Sequence, residues 1–231
     1  MKTIYLLCGL LCDDVVWQAQ AAALRRQGNV DVRIVSFQPD DSIAGMAARV
    51  LRGAPAGFLL AGHSMGGRVA LEVYRQAAER VERLALLDTG YEAATPGEDG
   101  RRAVLVDRAQ AEGIAAIAAT WAMPMLAPGN RDNAPLVTSI LEMVGRMSPA
   151  IYAGQTRALL GRPDATPVLS AISCPTLILC GAEDAWSPPE RHARMAALVK
   201  GSVLIEVPAC GHMSTMEEAD AVTQALLDWA A

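Results

Sequence analysis

GFLLAGHSMGGRVALEVYRQAA, at residues 57–78, joins a short apolar run to a longer mixed one. Its beginning, GFLLA, predicts a buried strand, and the part after the serine predicts a helix. The connection fits the pattern Gly62-x-Ser64-x-Gly66, in which a sharp turn from strand to helix exposes a serine hydroxyl. A glycine-rich turn without chemistry is the alternative. We expect Ser64 to be a nucleophile if the rest of the chain supplies a base and an acid.

The rest of the chain repeats this alternation of strand and helix. Short, mostly apolar runs predict strands at residues 3–8, 30–36, 57–61, 83–88, 175–180 and 202–207. Helices are predicted at residues 16–27, 41–52, 65–78, 188–199 and 218–230. Because a right-handed crossover between neighbouring parallel strands needs a helix, this order predicts an α/β fold with about six mainly parallel strands flanked by helices.

Residues 91–171 break the alternation. They contain Ala-rich helical windows and several prolines, but no convincing strand. We interpret them as a helical insertion that forms a cap or lid over the carboxyl edge of the sheet. Residues 1–90 and 172–231 then form the core. Further doubly wound structure with weak strand signals is the alternative interpretation.

The composition excludes several classes of function. The 231 residues include 20 basic and 25 acidic side chains, and the net charge of -5 lacks the basic excess of a nucleic-acid-binding protein. No apolar run is long enough to span a bilayer, so we expect no membrane partner. We expect a small-molecule substrate, and a monomer or homodimer.

The cysteines and histidines indicate in which cellular compartment the protein lies and whether it can bind a metal ion. Five cysteines form an odd set without a Cys-x-x-Cys pair, which favours reduced thiols in a cytoplasmic protein. The opening stretch MKTIYLLCGLLC imitates a secretory signal, but Asp13 and Asp14 interrupt the resemblance. The only histidines are His63, His192 and His212, so a histidine-rich metal site is not available. We expect neither a metal nor a cofactor.

A base and an acid for Ser64 follow the last two predicted strands. A serine hydroxyl becomes nucleophilic when a base takes its proton and a third group orients that base. His212 follows the last strand and Asp184 the strand before it, so both lie with Ser64 at the carboxyl edge of the sheet. The chain order Ser64, Asp184, His212 is the one that this architecture uses. We expect these three to be catalytic, with Glu183 and Asp88 open as alternative acids.

The other two histidines receive structural interpretations. His63 adjoins Ser64, but adjacent residues in such a turn point apart, so we expect His63 to pack rather than to act as the base. His192 lies within a predicted helix, and we expect its side chain to be solvated.

The chain resembles the α/β-hydrolase superfamily over essentially its whole length. The resemblance rests on CGLLCDDVVW (8–17), GHSMGGRVAL (62–71), LILCGAEDAWSP (177–188) and VPACGHMSTMEEADAV (207–222). It implies an α/β-hydrolase fold, with an oxyanion hole formed by the backbone N–H groups of Leu10 and Met65. Cys8-Gly9 stands where many relatives have His-Gly, which matters little because the donor is a backbone group.

The serine and the resemblance together indicate acyl transfer to water. A serine in place of an aspartate argues against the dehalogenase and epoxide-hydrolase branches. We expect a serine hydrolase that cleaves a carboxylic ester, thioester or lactone of a small to medium, largely apolar substrate through an acyl-enzyme. The alternatives are a carbon–carbon hydrolase, a lyase of the menaquinone-pathway type, and a ligand receptor or signalling protein on the same fold.

Candidate pocket residues come mostly from the predicted lid. They are Trp121, Met123, Met147, Tyr152, Met213 and Arg68. Carbon–carbon hydrolases commonly have tryptophan where this chain has Met213. The lyase branch has a carboxylate-binding arginine at the position of Arg68, and a tyrosine at that of His63. Packing in the core is the alternative for the lid residues, and a helix ion pair is the alternative for Arg68.

Overall fold

The computed structural model describes residues 2–38 and 40–231, and its core is one parallel sheet. Six strands lie in the order β2-β1-β3-β4-β5-β6. They are β1 (Lys2–Leu7), β2 (Val30–Val35), β3 (Phe58–His63), β4 (Val81–Leu87), β5 (Thr176–Gly181) and β6 (Val203–Val207). The predicted number of strands and their parallel pairing are confirmed. Each strand begins and ends within two residues of its predicted bounds.

Helices separate and flank the strands, as predicted. They are α1 (Gln18–Arg26), α2 (Ile43–Gly53), α3 (Met65–Ala77), α4 (Glu98–Glu112), α5 (Ala115–Ala122), α6 (Ala134–Gly145), α7 (Pro149–Leu160), α8 (Thr166–Ala171), α9 (Pro189–Leu198), α10 (Ser214–Glu217) and α11 (Ala219–Ala230). The first predicted helix begins instead as a 3-10 turn over Asp14–Trp17, with Asp13 as its N-cap. In the part of the chain that the structure describes, no helix is both long and apolar enough to cross a membrane.

The chain changes direction across the sheet after β2. β2 pairs with one side of β1, and the chain then crosses to β3 on the other side. With right-handed crossovers, this places α1 on one face and both α2 and α3 on the other. The packing of α2 on α3 and of α1 on α11 agrees with that arrangement. The loops that leave β1 and β3 therefore diverge and open a crevice at the carboxyl ends of the strands, where ligands bind in such sheets.

The central strands are buried on both faces. Every residue of β3 and of β5 is buried, whereas the edge strands β2 and β6 are partly exposed. A strand covered by helices on both faces is a continuous apolar run rather than an alternating one, which is why these strands could be found in the sequence.

Residues 91–171, all of which the structure describes, fold into helices and turns without a strand. α4 packs against α5 and α7, and α5 packs against α6. The buried side chains of Ile117, Trp121, Ile140 and Met143 give this segment an apolar interior. The alternative of further sheet strands is therefore wrong here. The division into core and lid stays a prediction.

Gly66 lies where α3 meets β1. A Cβ at this position would be 2.2 Å from the carbonyl oxygen of Leu7. We expect Gly66→Ala to lower the free energy of unfolding by at least about 1 to 3 kcal/mol, as overpacking does, measured by urea unfolding. Gly100→Ala, in α4, is the control because its Cβ would meet nothing within 4 Å. A Gly66→Ala protein as stable as the parent would contradict the close packing.

Candidate active site

Ser64 occupies a strained turn between β3 and α3. Its φ of 55° and ψ of -118° cost a residue with a side chain on the order of 1 to 3 kcal/mol. The Ser64 N–H donates to the Leu87 carbonyl at 2.9 Å, and the Thr89 hydroxyl donates to the Ser64 carbonyl at 2.6 Å. A Cβ at Gly62 would lie 2.3 Å from the Gly66 carbonyl oxygen, so the turn closes only with glycine there. The surrounding backbone thus holds the Ser64 conformation.

A chain of hydrogen bonds joins Ser64 to His212 and Asp184. The Ser64 hydroxyl lies 2.8 Å from Nε2 of His212, and Nδ1 of His212 lies 2.8 Å from Oδ2 of Asp184. The other Asp184 oxygen accepts the backbone N–H groups of Trp186 and Ser187, each at 2.8 Å. Asp184 therefore has its oxygens occupied and oriented, and it holds the imidazole toward the serine.

The protonation of this chain follows from burial and charge. Burial raises the pKa of Asp184, but the imidazole and the hydrogen bonds outweigh it, so the net pKa is below the usual value. Burial lowers the pKa of His212, but the Asp184 carboxylate outweighs it and the net pKa is raised. In neutral His212 the proton therefore lies on Nδ1, beside the carboxylate, and Nε2 is free to accept the serine proton.

The loop after β1 and the first residue of α3 lie next to Ser64, because a Cβ at Gly9 would be 3.2 Å from the Ser64 Cβ. Met65 begins α3, whose first amides have no partner within the helix, and Leu10 follows Gly9 in the loop after β1. Gln155 in α7 holds this loop: it accepts the N–H of Leu11 at 2.9 Å and donates to Phe37 at 3.1 Å. Leu10 and Met65 both line the cavity that Ser64 also lines.

A family match covers nearly the whole chain. The model of the alpha/beta hydrolase family matches residues 5–225. The chain belongs to this family. The match includes the turn at Ser64, the loop at Asp184 and the loop at His212.

Proteins similar to this alpha/beta hydrolase are themselves named as hydrolases. The putative carbamate hydrolase RutD of Klebsiella pneumoniae (strain 342) is 28% identical over 247 residues, 97% of this chain and 90% of that protein. A thermophilic esterase from Thermogutta terrifontis superimposes with a TM-score of 0.88 at 29% identity, covering 100% of this chain and 89% of its own. The enol-lactonase from Burkholderia xenovorans LB400 has a TM-score of 0.85 at 25% identity, covering 99% and 91%. These similarities support a hydrolase on this fold.

A second buried acid lies behind the hydrogen-bonded chain. Asp88 accepts the hydroxyl of Ser214 and, at 3.1 Å, the N–H of Gly181, and burial raises its pKa. His63 donates from Nε2 to the backbone carbonyl of His212 at 2.8 Å, and burial lowers the His63 pKa to about 4. His63 therefore packs as a neutral brace for the His212 loop. Asp184, rather than Asp88, meets the ring of His212.

The expectation that His192 is solvated is wrong. His192 is fully buried in α9, and its Nε2 accepts the backbone N–H of Thr89 at 3.1 Å. Burial lowers its pKa to about 4, so the ring is neutral and can accept that bond. Because α9 packs against β5 and β6, a histidine on its inner side reaches the end of β4 instead of water.

Ser64 and His212 open into a cavity of about 300 Å³. Trp121, Met213 and Arg68 line it, together with Met125 and with Trp186, and only Trp186 was not considered from the sequence as a pocket residue. The other three predicted pocket residues do not line this cavity and pack in or against the apolar interior, as the alternative interpretation held: Met123, Met147 and Tyr152. The face that a helical residue presents depends on tertiary packing, so periodicity alone could not separate these two groups.

One wall of this cavity is charged, so the lining there differs from the apolar surface that suits a largely apolar substrate. The charged lining residues are Arg68, Arg102, Arg162, Arg191, Glu92 and Glu98. Most of them pair: Glu98 bonds Arg162 at 2.7 Å and Arg102 at 2.8 Å, and Glu92 meets Arg191 at 3.2 Å. The paired residues come from α4, α9 and the segments that flank α4 and α7. These segments are far apart in the sequence, so their spacing did not predict the ion pairs.

Arg68 differs from the other arginines of this wall. Its Nη1 donates to the backbone carbonyl of Glu92 at 2.8 Å, but it forms no salt bridge with any described residue. Burial, with Arg162 and Arg191 nearby, lowers its pKa to about 9. The ion-pair interpretation of Arg68 is therefore wrong.

The thiol that lines the cavity does not compete with the serine as a nucleophile. Cys12 also lines the cavity, but burial raises its pKa and keeps the thiol protonated at neutral pH. Within residues 2–38 and 40–231, no three His, Cys, Asp or Glu side chains are grouped to hold a metal ion.

Asp184→Asn tests the electrostatic role of Asp184. His212 accepts a proton only when neutral, and its pKa is raised, so kcat/KM should rise with pH through a value above 6.5. In the variant the His212 pKa falls, so the rise of kcat/KM with pH should shift to lower pH. The value of kcat should drop about ten-thousandfold, as in other hydrolases with a serine, histidine and aspartate. Glu183→Gln, one residue away, is the control. If Asp184→Asn keeps the pH dependence and the rate of the parent, Asp184 is excluded as the partner of His212.

The buried pair of Arg162 and Glu98 should stabilise the fold. Arg162→Met leaves Glu98 with one partner, and we expect a loss of about 3 to 5 kcal/mol in unfolding free energy, measured by urea unfolding at pH 7. Burial raises the Glu98 pKa, but the hydrogen bonds from Arg162 and Arg102 outweigh burial and lower the pKa to about 2. The parent should therefore lose this stabilisation as the pH falls from 4.5 toward 2 and Glu98 becomes protonated. Arg108→Met removes an exposed pair with Glu112 and is the control. Equal effects of the two substitutions would contradict the assignment.

Proposed function

We propose that this alpha/beta hydrolase cleaves a carboxylic ester, thioester or lactone through an acyl-enzyme on Ser64. The observation that carries the proposal is the continuous contact from Ser64 through His212 to Asp184, at 2.8 Å for each hydrogen bond. In such an arrangement the serine is nucleophilic, the histidine moves the proton, and the carboxylate orients and stabilises the imidazolium.

The proposed reaction has two halves. The Ser64 oxygen attacks the carbonyl carbon while Nε2 of His212 takes the serine proton. Collapse of the tetrahedral intermediate breaks the bond to the leaving group, which departs with that proton. Water then attacks the acyl-enzyme, gives a proton to His212, and the acid leaves as Ser64 recovers the proton.

The Leu10 and Met65 amides are the proposed oxyanion hole. Both are fixed by their backbones, Met65 at the start of α3 and Leu10 in the loop that Gln155 holds through Leu11. Donors that are already in place stabilise the developing negative charge, and loss of one typically raises the barrier by about 3 to 4 kcal/mol.

The cavity suggests a substrate with two unlike parts. Trp121 and Met213 offer an apolar surface for the acyl or alcohol group, and Arg68 begins the charged wall. The names of the similar proteins, esterase, enol-lactonase and putative carbamate hydrolase, agree in pointing to attack at a carbonyl carbon. We propose a small to medium substrate with an apolar group and a polar group on opposite sides of the reacting carbonyl.

Hydrolysis of p-nitrophenyl acetate, butyrate and octanoate tests the proposal. We expect the parent to turn over at least one of these esters and Ser64→Ala to lose about a thousandfold or more, because the nucleophile is gone. Ser170→Ala, at an exposed position of α8, is the control for a serine without a catalytic role.

Two results would count against the proposal. Turnover by Ser64→Ala at the parental rate would exclude Ser64 as the nucleophile. A folded parent without turnover of any of the three esters would favour the carbon–carbon hydrolase, lyase or receptor alternatives.

A further inference from the structure

A second cavity, of about 400 Å³, lies beside the catalytic one. Its wall comes from the start of α2, one side of α3 and the chain that joins α7 to α8. Arg68, Gly90 and Arg162 line both cavities, so the side chains of the two arginines form part of the partition. None of the three catalytic candidates lines the second cavity, and the chemistry proposed above makes no use of it.

Three arginines line the second cavity, and they differ in their partners. Arg75 pairs with Glu72 at 2.7 Å, and Arg162 pairs with Glu98 at 2.7 Å. Arg68 forms no salt bridge within the described residues, and only its Nη1 donates a hydrogen bond there. Its remaining N–H donors are therefore available to a ligand in the partition between the cavities. A bound anion stabilises the charge of a buried or partly buried cation that has no salt-bridge partner.

The start of α2 adds a second attraction for an anion. Ser42 caps the helix by accepting the N–H of Gly45 at 3.2 Å. The amides of Ile43 and Ala44, in the first turn, have no acceptor within the helix, and both residues line the cavity. Because the positive end of the helix dipole lies at this terminus, a negative group is stabilised there.

The remaining wall is mostly apolar. Leu71, Tyr91 and Val168 contribute apolar surface, and the two acidic residues of the lining are Glu72, which pairs with Arg75, and Asp164. The Asp164 carboxylate is exposed and already accepts the N–H and hydroxyl of Thr166, at 3.0 and 2.7 Å. An arginine without a salt bridge, set in a mostly apolar wall, matches a singly charged ligand with an apolar body better than it matches a multiply charged one.

We propose that this second cavity binds a small monocarboxylic acid with an apolar body, with the carboxylate on Arg68 and the body against Leu71 and Val168. The bound acid lies on the far side of the arginine partition from Ser64. Carboxylate and guanidinium form paired, charge-assisted hydrogen bonds, which a neutral ligand of the same shape cannot form.

Isothermal titration of hexanoate and of 1-hexanol into the full chain tests the proposal, because the two probes share an alkyl body and differ in charge. We expect hexanoate to bind at least about tenfold more tightly than hexanol, since only hexanoate pairs with the guanidinium. Arg68→Gln is expected to abolish that difference and to leave hexanol binding unchanged.

Tryptophan substitutions assign the binding to one cavity. Val168→Trp fills the second cavity and should weaken hexanoate at least about tenfold, and Ala44→Trp, on the α2 wall, should do the same. Ala93→Trp, whose residue lines the catalytic cavity and not the second, is the matched control. We expect it to retain hexanoate affinity within about twofold. Thermal unfolding followed by circular dichroism verifies that each variant is folded.

Three outcomes would overturn the proposal. Hexanoate binding that survives in Val168→Trp and Ala44→Trp but is lost in Ala93→Trp would assign the ligand to the catalytic cavity. Equal affinity for hexanoate and hexanol would exclude a role for the cation. Absence of hexanoate binding up to about 10 mM would exclude the site. None of these measurements uses ester turnover, so they stand apart from the test of the proposed function.

Discussion

The close packing of the first turn of α3 against β1 and β3 is the constraint on which the site depends. Gly62 and Gly66 allow backbone contacts that no side chain would permit, and Ser64 between them is left with a positive φ. A similar contact occurs at the other end of the site, where a Cβ at Gly181 would lie 2.1 Å from the carbonyl oxygen of Gly211. That contact holds together the loops that carry the other two catalytic candidates. Backbone packing at glycines thus sets the positions of all three side chains.

Burial then decides which groups near Ser64 carry charge. His63 and His192 are both driven to low pKa, about 4, so neither contributes a positive charge next to the catalytic candidates. Asp184 stays ionised because it accepts two backbone N–H groups and faces His212. One histidine therefore combines access to the serine with a carboxylate that stabilises its charged form. The two neutral histidines serve as hydrogen-bonding parts of the scaffold.

Features set by local sequence could be predicted, and features set by distant contacts could not. The strands are continuous apolar runs, and a residue that follows a parallel strand must lie at its carboxyl edge, so Asp184 and His212 could be placed with Ser64. The hydrogen bond by which Gln155 holds the loop after β1 joins positions 144 residues apart and leaves no local pattern. The cavity-lining side chains of residues 91–171 could not be predicted for a different reason. Helix α5 is apolar on nearly all sides, so its sequence does not show which side chains face the cavity.

In the proposed function, the turn at Ser64 presents its hydroxyl to a carbonyl group whose oxygen faces the Leu10 and Met65 amides. A crystal structure of the protein after reaction with an alkyl fluorophosphonate tests this most directly, because the phosphonyl oxygen stands in for the oxyanion. We predict phosphorus on the Ser64 oxygen and the phosphonyl oxygen about 2.7 to 3.1 Å from both backbone nitrogens. Attachment to another residue, or a phosphonyl oxygen out of reach of both amides, would contradict the account.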